Sequence, residues 1–254
     1  GKEIVLGGAE YSAAELQRRV GALAVAVADE TMAVALRGAE LWSALPRQAL
    51  VSWKKQSAMS LQERLHRLSV RELEPAEEES VAEVGVSVPV ALQSKVIAAT
   101  AHPDGILVVR MEARNAKNMF SAEFVAGIRE VFAHIERSPV YKAVVLTGYD
   151  SYFASGGTLE SLLAIQKGEV KFTAFDIFQL PLECPVPVIA AMQGHGIGAG
   201  WSFGMFADVV LMSDESRYVS PYMEYGFTPG AGATLIFPHQ IGYDLARESL
   251  LTAP

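Results

Sequence analysis

Val144-Val145-Leu146-Thr147-Gly148 leads through Phe153-Ala154-Ser155-Gly156-Gly157-Thr158 into an apolar helical run over Leu159–Gln166. About forty residues on, the design repeats. Val186-Pro187-Val188-Ile189-Ala190-Ala191-Met192 is followed by Gly194-His195-Gly196-Ile197-Gly198-Ala199-Gly200, then by Trp201-Ser202-Phe203-Gly204-Met205-Phe206. Each unit reads as a buried strand, a glycine turn and a helix start. At such a turn the backbone N–H groups have no intrahelical partner. Glycine lets the backbone approach a ligand closely. Two turns of this kind can aim two N–H groups at one oxygen, the design of an oxyanion hole.

One glycine turn alone is commonly no more than a tight turn. The second turn is also no dinucleotide fingerprint, because no GxGxxG occurs with an acidic residue at the right distance. The pair of turns is what carries weight.

The chain has 254 residues and is half hydrophobic, enough for one large domain or two small ones. A formal net charge of -8 argues against a nucleic-acid binder. The single cysteine, Cys184, excludes a disulfide framework and fits a reducing cytoplasm. Its place beside Pro185, before a buried strand, favours a structural thiol. No signal peptide opens the sequence, and no apolar run is long enough to span a membrane. No His, Cys or Asp cluster has metal-ligand spacing.

In chain order, Ser12 and Glu15 form a capping box for a helix over 13–19. A short apolar segment follows over 22–28, and Asp29 is expected to cap a helix over 30–45. Helical periodicity continues over 47–57 and 61–73. Residues 74–83 are acidic, contain Pro75 and read as a solvated linker. From Leu92 the pattern changes. Residues 96–100 and 106–111 flank Pro103-Asp104-Gly105 as a hairpin. Ser121 caps an amphipathic helix to Ile135, then come the strand over 143–147 and the two glycine units. A strand over 207–212 and helices over 234–237 and 243–251 complete the pattern. Strands alternating with helices predict an α/β fold with parallel pairing. His102, His134 and His239 read as exposed. His195, between two glycines, reads as a shaper of its turn.

Together, Phe153-Ala154-Ser155-Gly156-Gly157, the run 190–200 and Tyr225-Gly226-Phe227-Thr228-Pro229-Gly230-Ala231-Gly232-Ala233-Thr234 resemble the crotonase (enoyl-CoA hydratase/isomerase) superfamily. Within it they look like the decarboxylases of polyketide β-branching. The resemblance runs from about Leu92 to the end. It implies a crotonase-like spiral of ββα units over 84–254. It also implies that the N–H groups of Gly157 and Ala199 hold a thioester carbonyl. Hydratases of the superfamily use two glutamates, whose places fall here on Ser202 and Tyr222. Neither can act as a carboxylate acid or base, so ordinary enoyl hydration is not expected. Ser202, Tyr222 and Tyr225 are expected to line the acyl pocket. The decarboxylase branch uses a lysine after the first glycine turn; Lys171 matches best, with Lys167 as the alternative. It also uses a histidine, whose place falls near Ala76. His66 is the nearest candidate.

The first residues complicate this reading. Lys2-Glu3-Ile4-Val5-Leu6-Gly7-Gly8 resembles Arg247-Glu248-Ser249-Leu250-Leu251-Thr252-Ala253, and Tyr11 to Leu16 looks like what the superfamily places after that helix. The helical region 1–83 thus resembles a crotonase C-terminal segment, set in front of its core. It is a permuted end, a piece of a tandem crotonase, or an unrelated docking region. The function implied is decarboxylation of a 3-methylglutaconyl-type thioester on an acyl carrier protein of a polyketide synthase module. No cofactor is implied beyond the phosphopantetheine arm that carries the substrate. A homo-oligomer, foremost a trimer, is implied in the cytoplasm, without nucleic acid or membrane. The alternatives are an enoyl-thioester isomerase or dehydratase, and a non-catalytic scaffold.

Overall fold

The computed structural model describes residues 11–20, 24–57, 86–169, 176–226 and 228–251. Among them the strands are β1 (Tyr11–Ser12), β2 (Ala24–Ala26), β3 (Val88–Val90), β4 (Ile97–His102), β5 (Ile106–Met111) and β6 (Ala143–Thr147). They continue with β7 (Tyr152–Ala154), β8 (Val188–Met192), β9 (His195–Ile197), β10 (Val209–Ser213) and β11 (Arg217–Val219). The helices are α1 (Ala13–Val20), α2 (Ala28–Ser43), α3 (Arg47–Ser57), α4 (Ala122–Arg137) and α5 (Leu159–Gln166). After these come α6 (Gln179–Glu183), α7 (Ala199–Met205), α8 (Ala233–Ile241) and α9 (Tyr243–Leu251).

Two sheets form. The larger runs β2-β10-β8-β6-β5-β4-β3, and the smaller runs β1-β11-β9-β7. From β2 to β5 the large sheet is parallel, and β4 and β3 add to it antiparallel. Every residue of β6 and β8 is buried, the mark of a strand covered on both faces. Side chains alternate along a strand, so one face carries Val144, Leu146, Val188 and Ala190, packed with Phe124, Ile128 and Phe132 of α4. The other carries Ala143, Val145, Ile189 and Ala191, packed with Ala35 and Ala39 of α2. The buried stripe of α2 is Thr31, Ala35, Ala39 and Ser43, small residues spaced by four that let the helix lie close on the sheet.

The amino-terminal segment is therefore part of the packing. Strand β2 extends the large sheet beside β10, with Leu211 opposite Ala24, and β1 extends the small sheet beside β11. From α3, Lys54 is 2% exposed; its Nζ lies 2.5 Å from Asp208 Oδ2 and donates to the Pro181 carbonyl at 2.8 Å. The same carboxylate oxygen accepts the Val188 N–H at 2.8 Å. Burial pushes the Asp208 carboxyl above its ordinary pKa, with Lys54 pulling the other way. Arg47 Nε donates to the Tyr141 carbonyl, and Lys142 Nζ to that of Ser43.

The Ser12 cap is present, with its Oγ accepting the Glu15 N–H at 3.3 Å, as is the Ser121 cap on Phe124. The hairpin of β4 and β5 also forms as read from the sequence. Asp29 is not a cap. Helix α2 starts at Ala28 after an extended Val27 without side-chain cap, so Asp29 stands in the first turn, where its charge meets the dipole. His134 is half-buried because its Nε2 is 2.9 Å from the Tyr141 hydroxyl, and half-buried His102 bonds Ser87 Oγ through Nδ1. The regions read as a helix over 61–73 and a linker over 74–83 lie outside the described residues.

Candidate functional site

The two glycine units meet. The first enters from β7 and leaves through Thr158, whose Oγ1 accepts the Ser161 N–H at 3.1 Å and caps α5. The second is more than a turn. Residues 195–197 form β9, parallel to both β7 and β11 and hidden in sequence by Gly196 and the glycines on either side of the strand. This strand is what brings the units side by side. A Cβ at Gly200 would stand 2.1 Å from the Ala154 carbonyl oxygen, so only glycine lets α7 pack on β7. The Gly156 carbonyl accepts the Phe120 N–H at 2.8 Å, and the Gly198 N–H donates to Val219 at 2.7 Å, which pins both turns. His195 is half-buried; its Nδ1 accepts the Arg217 N–H at 3.0 Å and its ring meets Tyr152 edge-on. That arrangement ties β9 to β11 and fits the structural part read for it.

Between the turns lies a cavity of about 440 Å³. Gly156, Gly157, Gly198 and Ala199 line one side, and Phe120, Leu162, Phe178 and Ile197 make it apolar. Among the described residues, the lining holds no Asp, Glu, Lys, Arg or His, and neither the Gly157 nor the Ala199 N–H is taken up in a turn or cap hydrogen bond.

The expected site residues fall unevenly. Gly157 and Ala199 line the same cavity. Tyr222 lines it and is buried, with its hydroxyl 3.3 Å from Ser202 Oγ. Burial drives that phenol well above its ordinary pKa and keeps it neutral. Ser202 itself is fully buried one step behind the wall and bonds the Gly198 carbonyl. Tyr225 is 57% exposed and stands at the mouth with Leu159 and Leu163. Lys167 is the exposed residue that ends α5 and is not among the lining residues. Lys171 and His66 lie outside the described residues. Sequence reading gave no part in the cavity to Phe120, Phe178 or Ala231, because nothing local shows which core residues border a void. Cys184 is buried, and burial raises its thiol to about 11, in keeping with a structural role. Among the described residues no group of three or more His, Cys, Asp or Glu could hold a metal ion, and no helix is long and apolar enough to cross a membrane.

Residues 101–254 match the enoyl-CoA hydratase/isomerase family. The chain belongs to that family. As a family member it is 55% identical over 148 residues to the bacillaene synthase decarboxylase PksI of Bacillus subtilis, covering 58% of this chain and 59% of that one. It is also similar to the solved structure of a dehydratase/decarboxylase enzyme couple involved in polyketide β-branching. That likeness has a TM-score of 0.65 and 49% identity, over 66% of this chain and 67% of the other. The ECH2 decarboxylase domain of CurF from Lyngbya majuscula matches with a TM-score of 0.59 and 39% identity, over 63% and 65%. The crotonase resemblance and the α/β fold read from the sequence are borne out. The chain spans about six tenths of the length of the curated relatives it matches.

Proposed function

We propose that this family member is a lyase that decarboxylates a 3-methylglutaconyl-type thioester carried on an acyl carrier protein during polyketide β-branching. The observation that carries the reading is the pair of glycine turns facing one apolar cavity whose described lining contains no carboxylate. The likeness to PksI and to the CurF domain supports the same chemistry. In the proposed reaction the bond between the carboxylate carbon and its neighbour breaks. The electron pair passes through the double bond into the thioester carbonyl. The Gly157 and Ala199 N–H groups take the charge that develops on that oxygen. An apolar wall disfavours the starting carboxylate, and a cation can offset that cost and then protonate the product carbon. We assign that cation to Lys171, with Lys167 and His66 as the further candidates. Tyr222, Tyr225 and, behind them, Ser202 shape the acyl pocket.

The partner is then a carrier protein of a synthase module in the cytoplasm, with the phosphopantetheine arm brought by the substrate and no further cofactor. A homo-oligomer, foremost a trimer, is part of the reading. So is the division at residue 84, with 1–83 standing in for a crotonase C-terminal segment. The pairing of β2 with β10 and the packing of α2 on the sheet support that assignment.

The test is to incubate the protein with a 3-methylglutaconyl carrier protein and weigh the carrier. Loss of the mass of carbon dioxide is expected. A rearranged product of unchanged mass would favour an isomerase, gain of the mass of water a dehydratase working in reverse, and an untouched carrier a scaffold.

A further inference from the structure

Four buried side-chain polar atoms among the described residues have no hydrogen-bond partner: Ser155 Oγ, Trp201 Nε1, Ser220 Oγ and Ser249 Oγ. Only Ser155 belongs to the cavity lining. The other hydroxyls there are accounted for. Ser161 Oγ donates to the Thr158 carbonyl at 2.8 Å, the Tyr222 hydroxyl meets Ser202, and Tyr225 stands in the exposed mouth.

A buried hydroxyl without a partner destabilises a fold, and native structures rarely leave one. Alanine in place of Ser155 would remove the problem at no cost in packing. The hydroxyl therefore has its use when the cavity is filled. Serine offers one donor and two acceptor positions, and a jump between staggered rotamers is all the movement it needs to reach a ligand.

We infer that Ser155 is a specificity-determining residue whose hydroxyl donates to the carboxylate of the acyl group. This rests on the decarboxylase reading given above. Two observations select the carboxylate over other groups. Ser155 is a lining residue two positions before Gly157, so it belongs to the wall beside the turns, whereas the exposed Tyr225 stands at the mouth. The described lining carries no charged side chain, so on this wall a carboxylate is met by neutral donors, beside the cation assigned above to Lys171. The thioester carbonyl is already served by Gly157 and Ala199 in that reading, which leaves the carboxylate as the strongest acceptor open to a neutral donor on this wall.

Two inert saturated probes separate the possibilities: glutaryl-pantetheine, which carries the carboxylate, and butyryl-pantetheine, which lacks it. Binding of each to the protein and to Ser155→Ala is measured by calorimetry. The variant is expected to bind glutaryl-pantetheine at least about tenfold more weakly, as for a lost bond to a charged group, and butyryl-pantetheine unchanged. Its melting temperature should be no lower, since no bond within the protein is lost. An equal loss for both probes, no loss for either, or a lowered melting temperature would overturn the assignment of Ser155 alone. If the unaltered protein binds neither probe, the acyl-thioester reading falls, and this inference with it.

Discussion

Gly156 presses so closely on Ala199 that a Cβ at Gly156 would lie 3.3 Å from the Ala199 nitrogen, and 2.9 Å from the Ile197 carbonyl oxygen. Its φ of +77° adds a second reason for glycine. The contact sets the spacing of the two turns. Gly156→Ala should lower stability by about 1–3 kcal/mol, from left-handed strain and the forced separation. Turnover should fall roughly a hundredfold, because a small displacement of catalytic groups is costly. Denaturant melts and the carrier decarboxylation assay read the two effects separately. Unchanged turnover would mean that the turns need not touch.

The proposed lysine chemistry makes a sharper prediction. Lys171→Ala should slow decarboxylation by roughly a hundredfold or more, the scale of lost general-acid catalysis, with little change in the melt. Lys167 is exposed and absent from the described lining, so Lys167→Ala should stay near full rate. The reverse result would move the role one helical turn back, and two fully active variants would remove lysine from the mechanism.

Lys54 and Asp208 form a buried pair linking segments 154 residues apart. Lys54→Met strands the carboxylate in the core and should cost about 3–5 kcal/mol near neutrality. Protonation of Asp208 relieves that cost. A carboxyl whose folded pKa lies above its unfolded one favours the folded state below the unfolded value and loses that advantage as pH rises through the folded value. The deficit of the variant should therefore shrink on acidification toward the carboxylate range. Urea titrations of both proteins across that range test it. A deficit independent of pH would show that Asp208 keeps other compensation.

Cys184 gives a second pH signature. Its thiol is raised from 9.0 to about 11 by burial, so the folded state holds its proton longer than the unfolded chain. Stability from this group is whole below pH 9 and is lost as pH rises toward 11, by about 3 kcal/mol in all. At pH 8 a thiol reagent should label the native protein far more slowly than the urea-unfolded chain. Equal labelling rates would show that the site opens freely.

What was legible in the sequence is what the chain specifies locally. The helices capped by Ser12 and Ser121, the hairpin about Pro103-Asp104-Gly105 and the two strand–glycine–helix units depend on residues a few positions apart. Two of the three family motifs, 153–157 and 190–200, lie within those units, so the pairing of the turns could be expected as well. Local signals misled where a neighbour in space took over. Asp29 gave way as a cap to Val27, and His195-Gly196-Ile197 became a strand because β7 and β11 flank it.

By itself, the sequence determined the alternation of buried strands and helices, the glycines at both turns and the absence of glutamate at positions 202 and 222, since each is a property of a residue or of its near neighbours. Only the tertiary structure decided that α2 covers the second face of the large sheet, that Lys54 reaches Asp208, and that Ser155 is left without a partner beside the cavity. The physical reason is that burial, ion pairing and hydrogen-bond satisfaction depend on which distant segments come together, and no local periodicity records that.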